Sequence, residues 1–222
     1  DDNFFTLEDY KEKISAKQTD KDEKLVYLYT SDKAAQDIYI RAAEGKGYDV
    51  LHMNGVLDSH FIGLLERKME NTRWVRVDSD TVDKLIPQAA EEITEDADAL
   101  NDDQENKLKE VFEAVKREPG HVIGMAKLGE TQFPVTITRP EFMRRMKEMA
   151  ANGGGMAYMG EMPDTLNVVV NTDHALVRRI LRARKKEELA RQLVDLALLS
   201  QNMLQGKDLT DFIQRSVDML QK

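Results

Sequence analysis

The chain has 222 residues, 41% of them hydrophobic and 33% charged, which is enough for a core and for one large or two small domains. The balance of 32 Lys and Arg against 41 Asp and Glu leaves a net charge of −9, which argues against bulk nucleic-acid binding. Cysteine is absent, so disulfides, thiolate metal sites and a cysteine nucleophile are excluded, and a reducing, cytoplasmic location is expected. No apolar run approaches the roughly 18 residues of a membrane span. No basic-then-apolar leader opens the chain, and the start at Asp1-Asp2-Asn3 reads as a piece cut from something longer.

In chain order, Thr6 with Asp9 opens a first helical turn, and Gln18 to Lys24 is polar loop. Leu25–Thr30 is a short β-rich apolar run and reads as a buried strand. Ser31-Asp32 then caps a helix to about Ala43, closed by Gly45 and Gly47. Tyr48–Met53 is a second strand. Gly55 and Asp58 open a helix carrying Phe61, Leu64, Leu65 and Met69, and Trp74–Val77 is a third strand. The order β-α-β-α-β predicts a small α/β subdomain, residues 1–80, with a parallel sheet.

Residues 78–118 hold fourteen acids and five bases, a deficit equal to that of the whole chain. The domain boundary is placed here, near Asp80 to Asp98, so that residues 81–222 form a second, α+β domain. Asn101 or Asp102 caps a helix with Leu108, Val111, Phe112 and Val115, stopped by Pro119-Gly120. Strands are predicted at His121–Met125, Phe133–Thr138 and Leu166–Val170, and a Met-rich helix at about Glu141–Ala151. Asn171-Thr172-Asp173 caps a helix from about His174. A stretch without Pro or Gly runs on to Gln205, Gly206 breaks it, and a last helix starts at Asp208.

Candidate chemistry is sparse. His52, His60, His121 and His174 include no i,i+3 or i,i+4 pair, so no metal site is expected and no catalytic serine stands out. Gly153-Gly154-Gly155 lacks the Lys and Ser/Thr of a phosphate loop. Thr30-Ser31-Asp32, at a strand's carboxyl end, is where an α/β enzyme could hold a phosphorylated small molecule, although a helix cap needs no ligand. The acidic run lacks the order of a calcium loop. The basic group Arg178, Arg179, Arg182, Arg184, Lys185, Lys186 wraps round its helix and forms no stripe.

Two features exceed this background. Met143, Met146, Met149, Met156, Met159 and Met162 crowd into 20 residues, and Phe142, Met146 and Met149 share a helix face. They either fill a core or form an adaptable binding surface. Leu189, Leu193, Leu196 and Met203, widened by Ala197 and Leu199, mark an apolar stripe on the penultimate helix, and Leu209, Phe212, Ile213, Val217 and Leu220 mark one on the last. Such a hairpin packs inward or against a copy of itself as a four-helix bundle.

These residues resemble the heat-shock protein 90 chaperone family in its bacterial form. Phe5-Thr6-Leu7-Glu8-Asp9-Tyr10, KLVYLYTSD at Lys24–Asp32, GYDVLHMNGVLD at Gly47–Asp58, Phe142–Lys147, LNVVVNTDHALVRRI at Leu166–Ile180 and Leu193–Leu220 look like successive family segments, with Thr172 where Pro is usual. The resemblance implies a small subdomain ending a middle domain, followed by a dimerisation domain. It implies that ATP and magnesium bind in an N-terminal domain upstream, so this stretch has no cofactor and no catalytic residue of its own. It further implies client contact at Phe142, Met143, Met146 and Met149, and a homodimer seam at Leu189, Leu193, Leu196, Leu199, Phe212, Ile213, Val217 and Leu220. A client-contacting Trp of a relative falls at His60. The acidic tail that docks helical-repeat co-chaperones is absent, so no such partner, no nucleic acid and no membrane are expected. A purely structural spacer is a third reading.

Overall fold

The computed structural model describes residues 4–55, 57–87, 100–151 and 165–221, with the backbone alone at 59 and 147–151. The glycine triplet, Met156, Met159, Met162 and the acids between 91 and 98 lie outside the described residues. Contacts divide the chain into two compact units, 1–94 and 95–222.

The first unit runs α1 (Leu7–Ser15), β1 (Leu25–Thr30), α2 (Asp37–Gly45), β2 (Val50–His52), α3 (Asp58–Lys68), β3 (Thr72–Arg76) and α4 (Val82–Leu85). Its sheet has the order β2-β1-β3, and both pairings are parallel. All six residues of central β1 are buried, because helices cover both faces of a parallel sheet. Side chains alternate along the strand, so Val26 and Leu28 meet Tyr39 and Ala43 of α2 with Leu85 and Ile86 on one face. Leu25, Tyr27 and Tyr29 meet Tyr10, Ile14, Ile62, Leu65 and Trp74 on the other. Trp74 stacks on Tyr27 with centroids 4.4 Å apart and planes 6° from parallel. Val82, Leu85 and Ile86 belong to this core, so the unit continues past Asp80.

The expected helix after β1 starts later than its cap signal. Asp32 accepts hydrogen bonds from the Ala34 and Ala35 amides, which closes a turn, and α2 begins only at Asp37.

The second unit runs α5 (Asp102–Val115), β4 (His121–Ala126), β5 (Val135–Thr138), α6 (Glu141–Ala151), β6 (Leu166–Asn171), α7 (Ala175–Ile180), α8 (Lys186–Ser200) and α9 (Gly206–Leu220). Its sheet order is β4-β6-β5, with β4 parallel and β5 antiparallel to β6. Asn101 caps α5 through a full capping box with Gln104. Leu108, Phe112 and Val115 of α5, the inward residues of the three strands, and Ala190, Leu193, Val194, Ala197 and Leu198 of α8 form one core.

The expected continuous helix to Gln205 is broken twice. The first break, at 181–185, has no Gly or Pro. The second ends α8 on Asn202, whose φ is +55°, with the Met203 amide donating to the Leu198 carbonyl at 2.9 Å. Gly206 opens α9 rather than separating it from what precedes.

Phe112 is fully buried, whereas Trp74, the chain's single tryptophan, reports on the other unit. Phe112→Ala should destabilise the second unit by about 3–5 kcal/mol in urea followed by far-UV circular dichroism. The transition seen in tryptophan emission should stay where it is; a joint shift would show that the units unfold together.

Candidate functional site

The described surface offers helix faces rather than a catalytic cluster. No group of three or more His, Asp or Glu among the described residues could hold a metal ion. No helix among them is long and apolar enough to cross a membrane.

At the carboxyl end of β1 the expected ligand position is filled from within. The Gln36 side-chain oxygen accepts from the Thr30 hydroxyl at 2.6 Å and from the Ser31 amide at 3.0 Å. Next to it in the sheet, Arg76 is bound through two nitrogens to Asp78, at 2.5 and 2.8 Å, and both residues are buried. The switch point of the sheet is therefore closed by an amide and an internal ion pair.

The turn after β6 has a structural task. Asn171 is fully buried; its side chain donates to the Gly129 carbonyl at 2.8 Å and accepts from the Leu128 amide at 3.2 Å. The His174 imidazole caps α7 by accepting from the Leu176 amide at 3.1 Å. In the basic group, Arg178 donates to the Thr172 carbonyl and Lys185 pairs with Glu188, so these two cations serve their own chain.

On α6, Phe142 is 70% exposed, and Met143 and Met146 are half-buried. Met149 lies one turn further along, where the backbone alone is described. Arg144 and Arg145 both bind Glu141, which gathers the charge at the first turn and leaves Phe142 clear of it. On α3, His60 is exposed beside Phe61. Leu57, Phe61 and Leu64 are exposed too, at i, i+4, i+7, forming an apolar strip on the side of α3 away from Ile62 and Leu65.

The α8–α9 hairpin divides the expected seam. Leu193 and Phe212 point into the unit's own core, and Leu189 packs against it. Leu196, Leu199, Ile213, Val217 and Leu220 face outward, Leu220 at 88% exposure. Five large apolar side chains on two paired helices make a patch of the kind that marks an interaction site.

One buried cluster holds the hairpin in this orientation. Asp195 of α8 is 0% exposed and accepts two hydrogen bonds from Arg117, both at 2.7 Å, and a further one from Arg215 of α9. Arg117 also reaches Asp208 at the start of α9, at 2.5 Å. Gln192 donates to the Ser216 hydroxyl at 2.7 Å. Sequence reasoning missed this cluster. Its signal was a lone acid inside the apolar run Leu193–Leu199, which cannot be buried without cationic partners.

Nearby His121, the first residue of β4, is buried, and its Nδ1 has no hydrogen-bond partner. Burial pulls its pKa below the ordinary 6.5, against the opposing pull of Glu118 and with help from Lys116. Between its two pKa values the folded chain thus binds fewer protons here than the unfolded chain. The stability linked to this group is complete above 6.5 and is lost as pH falls through 6.5 towards the folded value. The urea midpoint of the second unit should drop across that window, and His121→Leu should flatten this part of the profile. An unchanged profile in the variant would assign the drop to other groups.

No family model matches the chain. Among curated proteins it is similar to chaperone protein htpG of Bacteroides fragilis (strain YCH46), 34% identical over 293 residues that cover 99% of this chain and 42% of the relative. The HtpG of Bacteroides thetaiotaomicron is 33% identical with the same coverage. That of Porphyromonas gingivalis (strain W83) is 41% identical over 189 residues, or 84% of this chain and 27% of the relative. The chain thus spans about two fifths of the length of the Bacteroides relatives. Their alignments are longer than its 222 residues, so these relatives hold residues within the matched span that this chain lacks. By homology over essentially its whole length, the chain belongs to the heat-shock protein 90 family of chaperones, in the HtpG branch.

Proposed function

We propose that this chain is the dimerising and client-contacting part of an ATP-dependent chaperone that assists protein folding. The observation that carries the reading is the outward apolar stripe of Leu196, Leu199, Ile213, Val217 and Leu220 on a hairpin whose other face is already used by the core. Two copies joined along this stripe form a four-helix bundle. The first unit, residues 1–94 and so somewhat longer than the expected 1–80, corresponds to the family's small α/β subdomain, and the second to its C-terminal dimerisation domain, in the cytoplasm. ATP and magnesium belong to the part of the relatives' length that this chain does not match, and pairing keeps two such parts at high effective concentration.

Clients are partly unfolded chains with exposed apolar segments. Phe142, Met143, Met146 and Met149 on α6 meet them, since methionine adapts to many apolar shapes. The exposed strip Leu57, Phe61 and Leu64 on α3, with His60 beside it, offers a second contact. The rival reading, an α/β enzyme with a ligand at Thr30-Ser31-Asp32, is weakened because Gln36 already takes the hydroxyl and amide donors there.

Light scattering after size exclusion should give about twice 25.4 kDa at micromolar concentration. Ile213→Glu with Val217→Glu should return the monomer mass with unchanged circular dichroism. A wild-type monomer would overturn the dimer. Phe142→Glu with Met146→Glu should weaken binding of an unfolded model protein about tenfold in the intact dimer. Unchanged binding would exclude α6 as a client contact.

A further inference from the structure

The second unit contains a cavity of about 310 Å³ between the start of β4 and the turn that joins α8 to α9. This is at the lower end of the range, about 300–1,000 Å³, that holds small organic ligands. Its lining is divided in character. Leu198, Met203 and Leu204 supply an apolar side, with Leu198 and Leu204 buried. Glu118, His121 and Asp208 supply a polar side, and of these only Asp208 has a part in the ion cluster that holds the hairpin.

The charge on the polar side is uneven. Arg117 also lines the cavity, but Asp195 engages two of its nitrogens and Asp208 a third. Its positive charge is therefore already matched within the chain. The Asp208 side chain is half exposed, and the Glu118 carboxylate makes no ion pair with any described residue. His121 is 94% removed from solvent and has a ring nitrogen without a partner. A neutral imidazole can accept a hydrogen bond but adds no positive charge. The wall as a whole is apolar on one side and net acidic on the other.

We propose that this cavity binds a small amphiphilic amine, with its apolar body against Leu198, Met203 and Leu204 and its ammonium between Glu118, Asp208 and the His121 ring. A carboxylate of the same shape meets the unpaired Glu118 carboxylate, and the one cation among the wall's described residues, Arg117, is already held by Asp195 and Asp208, so the anion binds more weakly. A neutral analogue keeps the apolar contacts and loses the ionic ones, so it ranks between the two. The site lies within the second unit and stands whether or not the chaperone reading holds.

The test uses the full chain, labelled for NMR in its amides and methionine methyls, titrated at neutral pH with 2-phenylethylamine. Phenylacetate and 2-phenylethanol serve as anionic and neutral controls with the same apolar body. The amine should give saturable shifts at His121 and Met203, with affinity about tenfold above that of phenylacetate. Glu118→Gln, at an exposed position, leaves the fold intact and should weaken the amine several-fold. Three results would overturn the proposal: no saturable shift with the amine at millimolar concentration, equal binding of phenylacetate, or unchanged amine affinity in both Glu118→Gln and Asp208→Asn.

Discussion

The carboxylate of Asp195 is the constraint on which the second unit turns. It sits on the inward side of α8 with no exposure to water. An ion buried without partners would cost several kcal/mol, so the chain must bring cations to it. Arg117 comes from the segment between α5 and β4, and Arg215 from the middle of α9. Three separate stretches of chain are thus tied to one pair of oxygens. Removing one partner of such a group typically costs about 3–5 kcal/mol, although the same volume filled with apolar side chains can be as stable. The worth of the cluster is therefore in placement more than in net energy.

That placement decides what α9 shows to solvent. With Arg215 turned towards Asp195, Phe212, one helical turn earlier, falls into the core. Ile213, Val217 and Leu220 are then rotated outward as one strip. Asp208, bound to Arg117, fixes the start of the helix, and Gln192 with Ser216 fixes a point near its end. The proposed dimer surface is thus a by-product of an internal ion cluster. The same arrangement brings Leu198, Met203, Leu204 and Asp208 together at the turn and leaves the cavity beside His121.

The sequence made some of this readable and hid the rest for identifiable reasons. Leu25–Thr30 was legible as a buried strand because every position is apolar, aromatic or a β-branched Thr, and the structure has β1 over those residues. Asn101 as a cap and Glu141–Ala151 as a helix were equally plain. The start of α2 was not, since Asp32 can close a turn as well as cap a helix, and the backbone chose the turn. The end of α8 escaped notice because Asn202 plays the part usually given to glycine. On the two terminal helices the apolar period was clear, but the stripe is wider than the core needs. Periodicity alone does not say that Leu193 and Phe212 turn inward while Leu196 and Ile213 turn outward. Asp195 and its arginines, 20 and 78 residues away, supply that information through contacts no local pattern contains.

The role of the ion cluster is tested most directly by amide hydrogen exchange on the full chain and on its Asp195→Asn variant. This substitution keeps the shape of the side chain and removes the charge that Arg117 and Arg215 satisfy. If the cluster holds the last helix in place, exchange in the variant is faster throughout α9, from Gly206 to Leu220, while β6 keeps its protection. Unchanged protection of α9 would contradict that role, because packing alone would then be holding the helix.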